Sequence, residues 1–224
     1  MRQAGSTNHL ADSEPELRVV KIGGSLASTP YLKNWLDILA GSAKHRIVIV
    51  PGGGGFADQV RNCQREWKFD DRTAHCMALL AMQQYGLMIA SFNRVLVTAG
   101  NFDEIRAVLA GNRVAVWLPD VEELDQAGIP AIWEVTSDSL SAWLAGRLAA
   151  KRLMLVKSAR PASAHDTPEK LASNGIVDAS FPAFLKTAGA MLDIFHCSEY
   201  RDFATDCKHR LGSNPIAKSF TDAR

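Results

Sequence analysis

The sequence predicts an α/β protein, a three-layer αβα sandwich in which helices cover both faces of a mostly parallel central sheet. Short β-branched runs alternate along the chain with stretches of helical periodicity, which is typical of strands joined by crossover helices. The first two runs, residues 17–22 and 46–50, are apolar almost throughout, as expected for strands buried on both faces. Each is followed at once by glycines, where a strand should pass into a helix.

The remaining elements continue this alternation. Thr29 with Pro30 should begin the first helix, either Asp70 or Asp71 should cap a long third helix, and Asn101 should cap a fourth. After residue 158 the signals weaken, and residues 158–168 are predicted to form a mobile loop or a lobe boundary. We expect further strands at residues 94–97, 113–118, 152–156 and 193–196, and helices at residues 56–67, 72–91, 102–109, 139–150, 169–173 and 181–187, after Pro119 and after Ser198.

Length and composition exclude several function classes. The 224 residues carry a formal net charge of +1, which indicates no general attraction to nucleic acid. Four cysteines without a Cys-x-x-Cys pair argue against a zinc site or disulfide framework and favour a cytoplasmic protein. No apolar run approaches the ~18 residues of a membrane span. We expect a disordered leader at residues 1–16, a single domain at residues 17–211 and a flexible tail at residues 212–224.

The glycines after the first two strands predict a phosphate site. Backbone N–H groups can approach an anion there without a Cβ in the way, and the second loop opens onto a helix whose free N–H groups add to the site. The P-loop pattern is absent. The predicted phosphate-binding residues are Gly23, Gly24, Ser25, Gly52, Gly53 and Gly54.

Two charged residues are candidates for catalysis. Lys21 stands in a strand otherwise made of Val and Ile, where a buried charge needs a partner such as an anion. The alternative is a strand-end lysine that reaches solvent. Asp138 stands at a predicted helix start, where a capping role is the alternative to a functional one.

Three motifs, in order, resemble the amino acid kinase family, which includes the acetylglutamate, aspartate, uridylate and isopentenyl phosphate kinases. The motifs are Lys-Ile-Gly-Gly-Ser-Leu from Lys21, Val-Pro-Gly-Gly-Gly from Val50 and Thr-Ser-Asp-Ser from Thr136. The resemblance covers about residues 17–157 and implies the carbamate kinase-like fold of that family.

The same resemblance implies roles for the site. Lys21 would bridge the donor and acceptor phosphates, and Asp138 would orient the phosphate-binding lysines. About residues 17–135 would bind the acceptor, and about residues 136–211 would bind ATP, whose phosphates would hold Mg²⁺. Many relatives are dimers or larger, so a homodimer or higher homo-oligomer is expected, with the apolar residues of 77–88 as candidate surface.

Within the family, Gln-Arg-Glu at 64–66, Asp71, His75 and residues 81–86 resemble the branch that phosphorylates an aminomethyl-furan-methyl phosphate during methanofuran biosynthesis. This similarity predicts four acceptor-binding residues. A carboxylate among them could bind an ammonium group of the substrate. A polar stripe on a long helix is the alternative. The nominated residues are Glu66, Asp71, His75 and Gln83.

The chain departs from the family after the strand at residues 152–156. Lys-Ser-Ala-Arg-Pro at 157–161 replaces the usual Thr-Asp-Val-Asp-Gly, and a later Gly-Gly-Met-x-x-Lys segment with a second lysine is missing. Lys157 or Arg160 could supply the missing cation, and Asp178 and Lys186 are further candidates near the nucleotide.

The function predicted from these motifs is ATP-dependent phosphorylation of a phosphate monoester, giving a diphosphate. Two alternatives stay open: a non-catalytic anion-binding or storage protein of the same fold, and a kinase acting on a carboxylate or carbamate. The expected partner is a small phosphorylated substrate, with neither nucleic acid nor membrane involved.

Overall fold

A computed structural model describes residues 16–163 and 166–209 and contains a six-stranded sheet in the order β3-β4-β2-β1-β5-β6. All five strand pairings in this part of the chain are parallel, so the predicted fold class is confirmed. The predicted tail, and the leader up to residue 15, lie outside the described residues. The strands are β1 (Arg18–Ile22), β2 (Ile47–Pro51), β3 (Leu96–Ala99), β4 (Val114–Trp117), β5 (Arg152–Lys157) and β6 (Met191–His196).

Helices follow most of the strands, and a 3-10 turn at Gly24–Ser28 follows β1. Among the described residues, no helix is both long and apolar enough to cross a bilayer. The helices are α1 (Tyr31–Gly41), α2 (Gly54–Trp67), α3 (Asp71–Ser91), α4 (Phe102–Ala110), α5 (Val121–Gln126), α6 (Ser137–Arg147), α7 (Pro168–Ser173), α8 (Phe181–Ala188) and α9 (Tyr200–His209).

The strands bury both of their faces, as their apolar sequences require. Successive side chains of a strand point to opposite sides, so Val19 of β1 joins a core with α6 while Val20 joins a core with α1. The long helix α3 contributes to both cores through Leu79 and Tyr85. This arrangement is the three-layer sandwich expected from the sequence.

The order of the strands fixes where a ligand can bind. From β1 the chain crosses to β2 on one side, and from β5 it crosses to β6 on the other. The crevice at the carboxyl ends of β1 and β5 is therefore the switch point, where ligands bind in open parallel sheets. Lys21 and Lys157 stand at these two strand ends.

Several predicted boundaries were wrong, and three of them have a local explanation. β3 begins at Leu96 and not at residue 94, because Asn93 forms a turn in which its carbonyl accepts the Leu96 N–H. Thr29 does not cap α1, since its hydroxyl donates to the Leu26 carbonyl and closes the 3-10 turn. α6 begins at Ser137, two residues earlier than predicted, which brings Asp138 into its first turn.

Several apolar side chains of α3 and its C-terminal end are exposed, namely Leu80, Leu87 and Phe92. They lie in and beside the stretch that the sequence nominates as contact surface. Homo-oligomerisation itself stays a prediction.

Trp35 connects α1 to the C-terminal part of the chain and provides a test of the fold. Its buried indole Nε1 donates to the Cys197 carbonyl oxygen at 2.7 Å, and its ring packs against Phe203 at 5.5 Å between centroids. Trp35→Phe removes this donor from a buried carbonyl and should lower the free energy of unfolding by about 1–3 kcal/mol. Urea unfolding measures this loss. Trp67→Phe, at a side chain that is largely exposed, should change stability by less than about 0.5 kcal/mol, and an equal loss in both variants would contradict the prediction.

Candidate functional site

The two glycine loops pack directly against each other, backbone to backbone. The Gly52 N–H donates to the Ile22 carbonyl at 2.9 Å. A Cβ built on Gly24 would lie 2.2 Å from the Gly54 nitrogen, and one on Gly52 would lie 2.4 Å from the Gly24 nitrogen. Gly54 also has a φ of +54°, in the left-handed region that favours glycine. The sequence prediction that these loops lie together agrees with this geometry.

A buried group of three charges lies at the carboxyl ends of β1 and β5. Lys21 Nζ is 2.9 Å from Asp138 Oδ1, and Lys157 Nζ is 2.6 Å from Asp138 Oδ2. The side chains of Lys21 and Asp138 are each 6% exposed, and that of Lys157 is 12% exposed. The Lys157 contact is a hydrogen bond, whereas the contact of Lys21 with Oδ1 is an ion pair outside hydrogen-bond geometry. One carboxylate therefore faces two ammonium groups.

Burial and charge act in opposite directions on Asp138. Burial alone would raise the pKa of this carboxyl, but Lys21 and Lys157 outweigh it and hold the pKa at about 2. For Lys157, burial and the neighbouring Lys21 charge lower the pKa to about 8, against the opposing pull of Asp138. At neutral pH the carboxyl is ionised and Lys157 is mostly protonated, so the group carries a net positive charge.

The first turn of α6 holds Asp138 in place and is itself held by Asp178. One oxygen of Asp178 accepts from the Thr136 N–H and the Ser139 N–H, each at 3.0 Å, and from the Thr136 hydroxyl at 2.7 Å. Its other oxygen accepts from the Ser139 hydroxyl. Asp178, a sequence candidate for the nucleotide side, is thus occupied as a cap for the helix that carries Asp138.

A cleft of about 460 Å³ adjoins the glycine loops and this helix start. Burial lowers the pKa of His75 on its α3 wall and favours the neutral ring. The cleft is lined by Gly24, Ser25, Ser28, Gly53, Gly54, Gly55, Ala57, Asp58, Arg61, His75, Ala78, Leu79, Met82, Trp133, Val135, Thr136, Ser137 and Leu140.

Of the four nominated acceptor residues, His75 lines this cleft and the other three do not. Glu66 is exposed on α2. The Asp71 carboxylate accepts from Gln64 Nε2 at 2.8 Å, and Gln83 Nε2 donates to the Pro119 carbonyl at 2.8 Å. On α3 the cleft is lined by His75, Ala78, Leu79 and Met82, so Asp71 and Gln83 lie on the same helix but outside the lining.

Of the three basic candidates after residue 156, one belongs to the charged group and two do not. Lys157 joins the charged group, whereas Arg160 pairs with Glu199 at 2.5 Å and Lys186 is exposed on α8. The loop after β5 touches the first glycine loop through Ser158 Oγ, which is 2.7 Å from Ser25 Oγ.

Sequence reasoning missed three side chains of the cleft wall: Asp58, Arg61 and Trp133. The Arg61 guanidinium carbon lies 3.7 Å from the centroid of the Trp133 ring, whose Nε1 donates to Gln64 Oε1 at 2.7 Å. Asp58 and Arg61 lie four and seven positions after Gly54, and therefore on the same face of α2 as that glycine. No local signal marks Trp133.

The contact between the glycine loops gives a sharp stability test. Gly24→Ala forces a Cβ into the backbone of Gly54, and overpacking of this kind costs about 1–3 kcal/mol or more. We expect a lower midpoint of thermal unfolding. Gly41→Ala is the matched control because nothing lies within 4 Å of its Cβ position. If Gly24→Ala were as stable as that control, the close packing of the loops would be wrong.

Comparisons with known proteins agree with this fold. The model of the amino acid kinase family matches residues 16–160. A [5-(aminomethyl)furan-3-yl]methyl phosphate kinase from Methanocaldococcus jannaschii is 31% identical over 142 residues, which are 62% of this chain and 64% of that relative's length. The fold is shared with a uridylate kinase from Archaeoglobus fulgidus (TM-score 0.67, 15% identity, 86% of this chain and 95% of that one) and with an isopentenyl phosphate kinase (TM-score 0.58, 13% identity, 86% and 96%). The chain belongs to the amino acid kinase family.

Proposed function

We propose that the protein is a kinase that transfers the γ-phosphoryl group of ATP to a small acceptor. The observation that carries this proposal is the excess of positive charge in the buried site, where Lys21 and Lys157 share the single carboxylate of Asp138. A buried charge without a partner is costly, so the site favours binding of an anion. The adjacent glycine loops offer backbone N–H groups to the same anion.

In the proposed reaction, an oxygen of the acceptor phosphate attacks the γ-phosphorus of ATP. The bond from that phosphorus to the oxygen bridging to the β-phosphate breaks, and ADP leaves with the electron pair. Lys21 and Lys157 neutralise the charge that spreads over the moving phosphoryl group. Asp138 is no base here, because a carboxylate with a pKa of about 2 is a weak proton acceptor and the dianion of a phosphate monoester has no proton on the attacking oxygen.

Magnesium belongs to this proposal as a partner of the nucleotide. Among the described residues, no group of three or more His, Cys, Asp or Glu could hold a metal ion. The phosphates of ATP would therefore bind the ion, which is its usual mode of binding.

The two ligands would approach the charged group from opposite sides. The acceptor would occupy the cleft beside α2 and α3, within the part at residues 17–135. ATP would lie over residues 136–211, beyond the carboxyl ends of β5 and β6. Lys157 would then provide the cation that most relatives carry on a separate segment.

The specific acceptor we propose is [5-(aminomethyl)furan-3-yl]methyl phosphate, converted to its diphosphate for methanofuran-type cofactor synthesis. The similarity to the Methanocaldococcus enzyme supports it, as does the cleft, which has the size of a small-ligand pocket.

An assay of ADP release across small phosphate esters, carboxylates and carbamate tests both levels of the proposal. We expect release with this furan phosphate and a product heavier by one phosphoryl group in the mass spectrum. Release with another phosphate ester alone would replace the acceptor but keep the kinase. The absence of both ATP binding and ADP release in folded protein would contradict the kinase, and a product trapped as a hydroxamate would indicate a carboxylate acceptor.

Lys21 provides a direct test of the charged group. Lys21→Met replaces the lysine with an unbranched, uncharged side chain one atom shorter, and Lys157 remains to pair with Asp138, so the fold should persist. Loss of one of the two cations should lower kcat by about 10²-fold or more. Lys33→Met, at an exposed lysine of α1, is the control and should leave kcat unchanged. Normal turnover by Lys21→Met would contradict the proposed mechanism.

The pKa of Lys157 gives a pH dependence. Because this pKa is about 8 in the free protein, kcat/KM should fall as the pH rises through about 8 and the ammonium loses its proton. Lys157→Arg stays charged throughout this range and should remove the fall. Unfolding does not explain such a fall, because the unfolded lysine retains its proton up to a higher pH and this group makes the folded state more stable as the pH rises. A wild-type profile that stays level well above pH 8 would contradict the assignment.

A further inference from the structure

We propose that Asp58 recognises a positively charged amino group at the far end of the acceptor. This inference rests on the proposed function, because it assigns a partner to the substrate of that site. Asp58 stands in the second turn of α2 and lines the cleft that the glycine loops begin.

Asp58 is the one carboxylate among the described residues that line the cleft. No hydrogen bond or ion pair to another described residue engages it, although it lies beside the cleft on an exposed face of α2. A carboxylate in that position is available to a ligand cation, and charge-assisted hydrogen bonds of this kind are among the stronger polar contacts.

The basic residue of α2 that could pair with Asp58 contacts another side chain. Arg61 follows at a spacing that commonly allows an ion pair on a helix. Its guanidinium instead lies over the Trp133 ring at 3.7 Å, and Trp133 is held by Gln64. Arg61 therefore forms no ion pair with Asp58, which has no such partner among the described residues.

The dimensions and the remaining lining suit a short acceptor. Four residues of helix separate Gly54 from Asp58, about 6 Å along the axis. A phosphate at the glycine loops and an ammonium at Asp58 would then be joined by a small ring with a methylene on each side. Apolar side chains line the same cleft, namely Leu79, Met82, Val135 and Leu140.

The two acidic residues predicted from the sequence to bind the acceptor do not line the cleft. Glu66 does not line the cleft, and the Asp71 carboxylate is bonded to Gln64. The sequence predicted that a carboxylate binds the ammonium of the substrate. The inference retains this interaction but assigns it to Asp58.

Two acceptors that differ only in the amino group test this inference. One is [5-(aminomethyl)furan-3-yl]methyl phosphate and the other is the same compound with a methyl group in place of the aminomethyl group. Wild-type protein should favour the amine by about tenfold or more in kcat/KM, the effect of one charge-assisted contact. Asp58→Asn, which has the same shape, should lose this preference.

Glu66→Gln, on the same helix and outside the cleft, is the matched variant and should retain the wild-type preference. The inference is overturned if Asp58→Asn retains the preference, if Glu66→Gln loses it instead, or if wild-type protein does not distinguish the two compounds. Turnover of either compound by wild-type protein supports the kinase in all three cases. If wild-type protein phosphorylates neither compound nor any other ester, the proposed function fails, and the inference fails with it.

Discussion

The rest of the structure depends on one buried charged group, formed by Lys21, Asp138 and Lys157. Three charges with little exposure to solvent carry a large desolvation cost, and their geometry must be accurate to offset it. Adjacent parallel strands deliver the two lysines to one sheet edge, and the first turn of α6 delivers the carboxylate between them. One negative charge cannot neutralise two positive ones, so the group keeps an excess of positive charge. In the proposed function, a phosphate of the substrate would neutralise this excess.

This charged group explains why Asp178 occupies so prominent a position. A carboxylate that must stay between two ammonium groups needs a rigid support, and helix starts are prone to fraying because their N–H groups lack partners. Asp178 satisfies two of those N–H groups and two hydroxyls in the same turn. It comes from a segment some forty positions further along the chain. Asp178 thereby connects the start of α6, which carries Asp138, to the segment before α8.

Local patterns in the sequence determined the framework, and long-range contacts determined the wall of the cleft. The apolar runs, the glycines behind them and the Asn101 cap are encoded within a few residues, and their expected positions agree with the structure. The sequence placed the start of α2 at residue 56 instead of Gly54 and did not indicate which face of this helix lines the cleft, so Asp58 and Arg61 were missed. Trp133 could not be found by any periodicity, since it reaches the cleft from a loop and is fixed there by Gln64. The partners of Asp178 and Lys157 likewise depend on tertiary packing.

The contact between Gly24 and Gly54 has a consequence for how this sequence can change. Most steric conflicts in a protein interior can be relieved by shortening the side chain on the opposite side. Here neither partner has a side chain to shorten, because a Cβ at position 24 meets the nitrogen and Cα of Gly54 themselves. No second substitution restores the space, and only a shift of main chain could. A side chain at either position would therefore strain the backbone of both loops, although thirty positions separate the two glycines in the sequence.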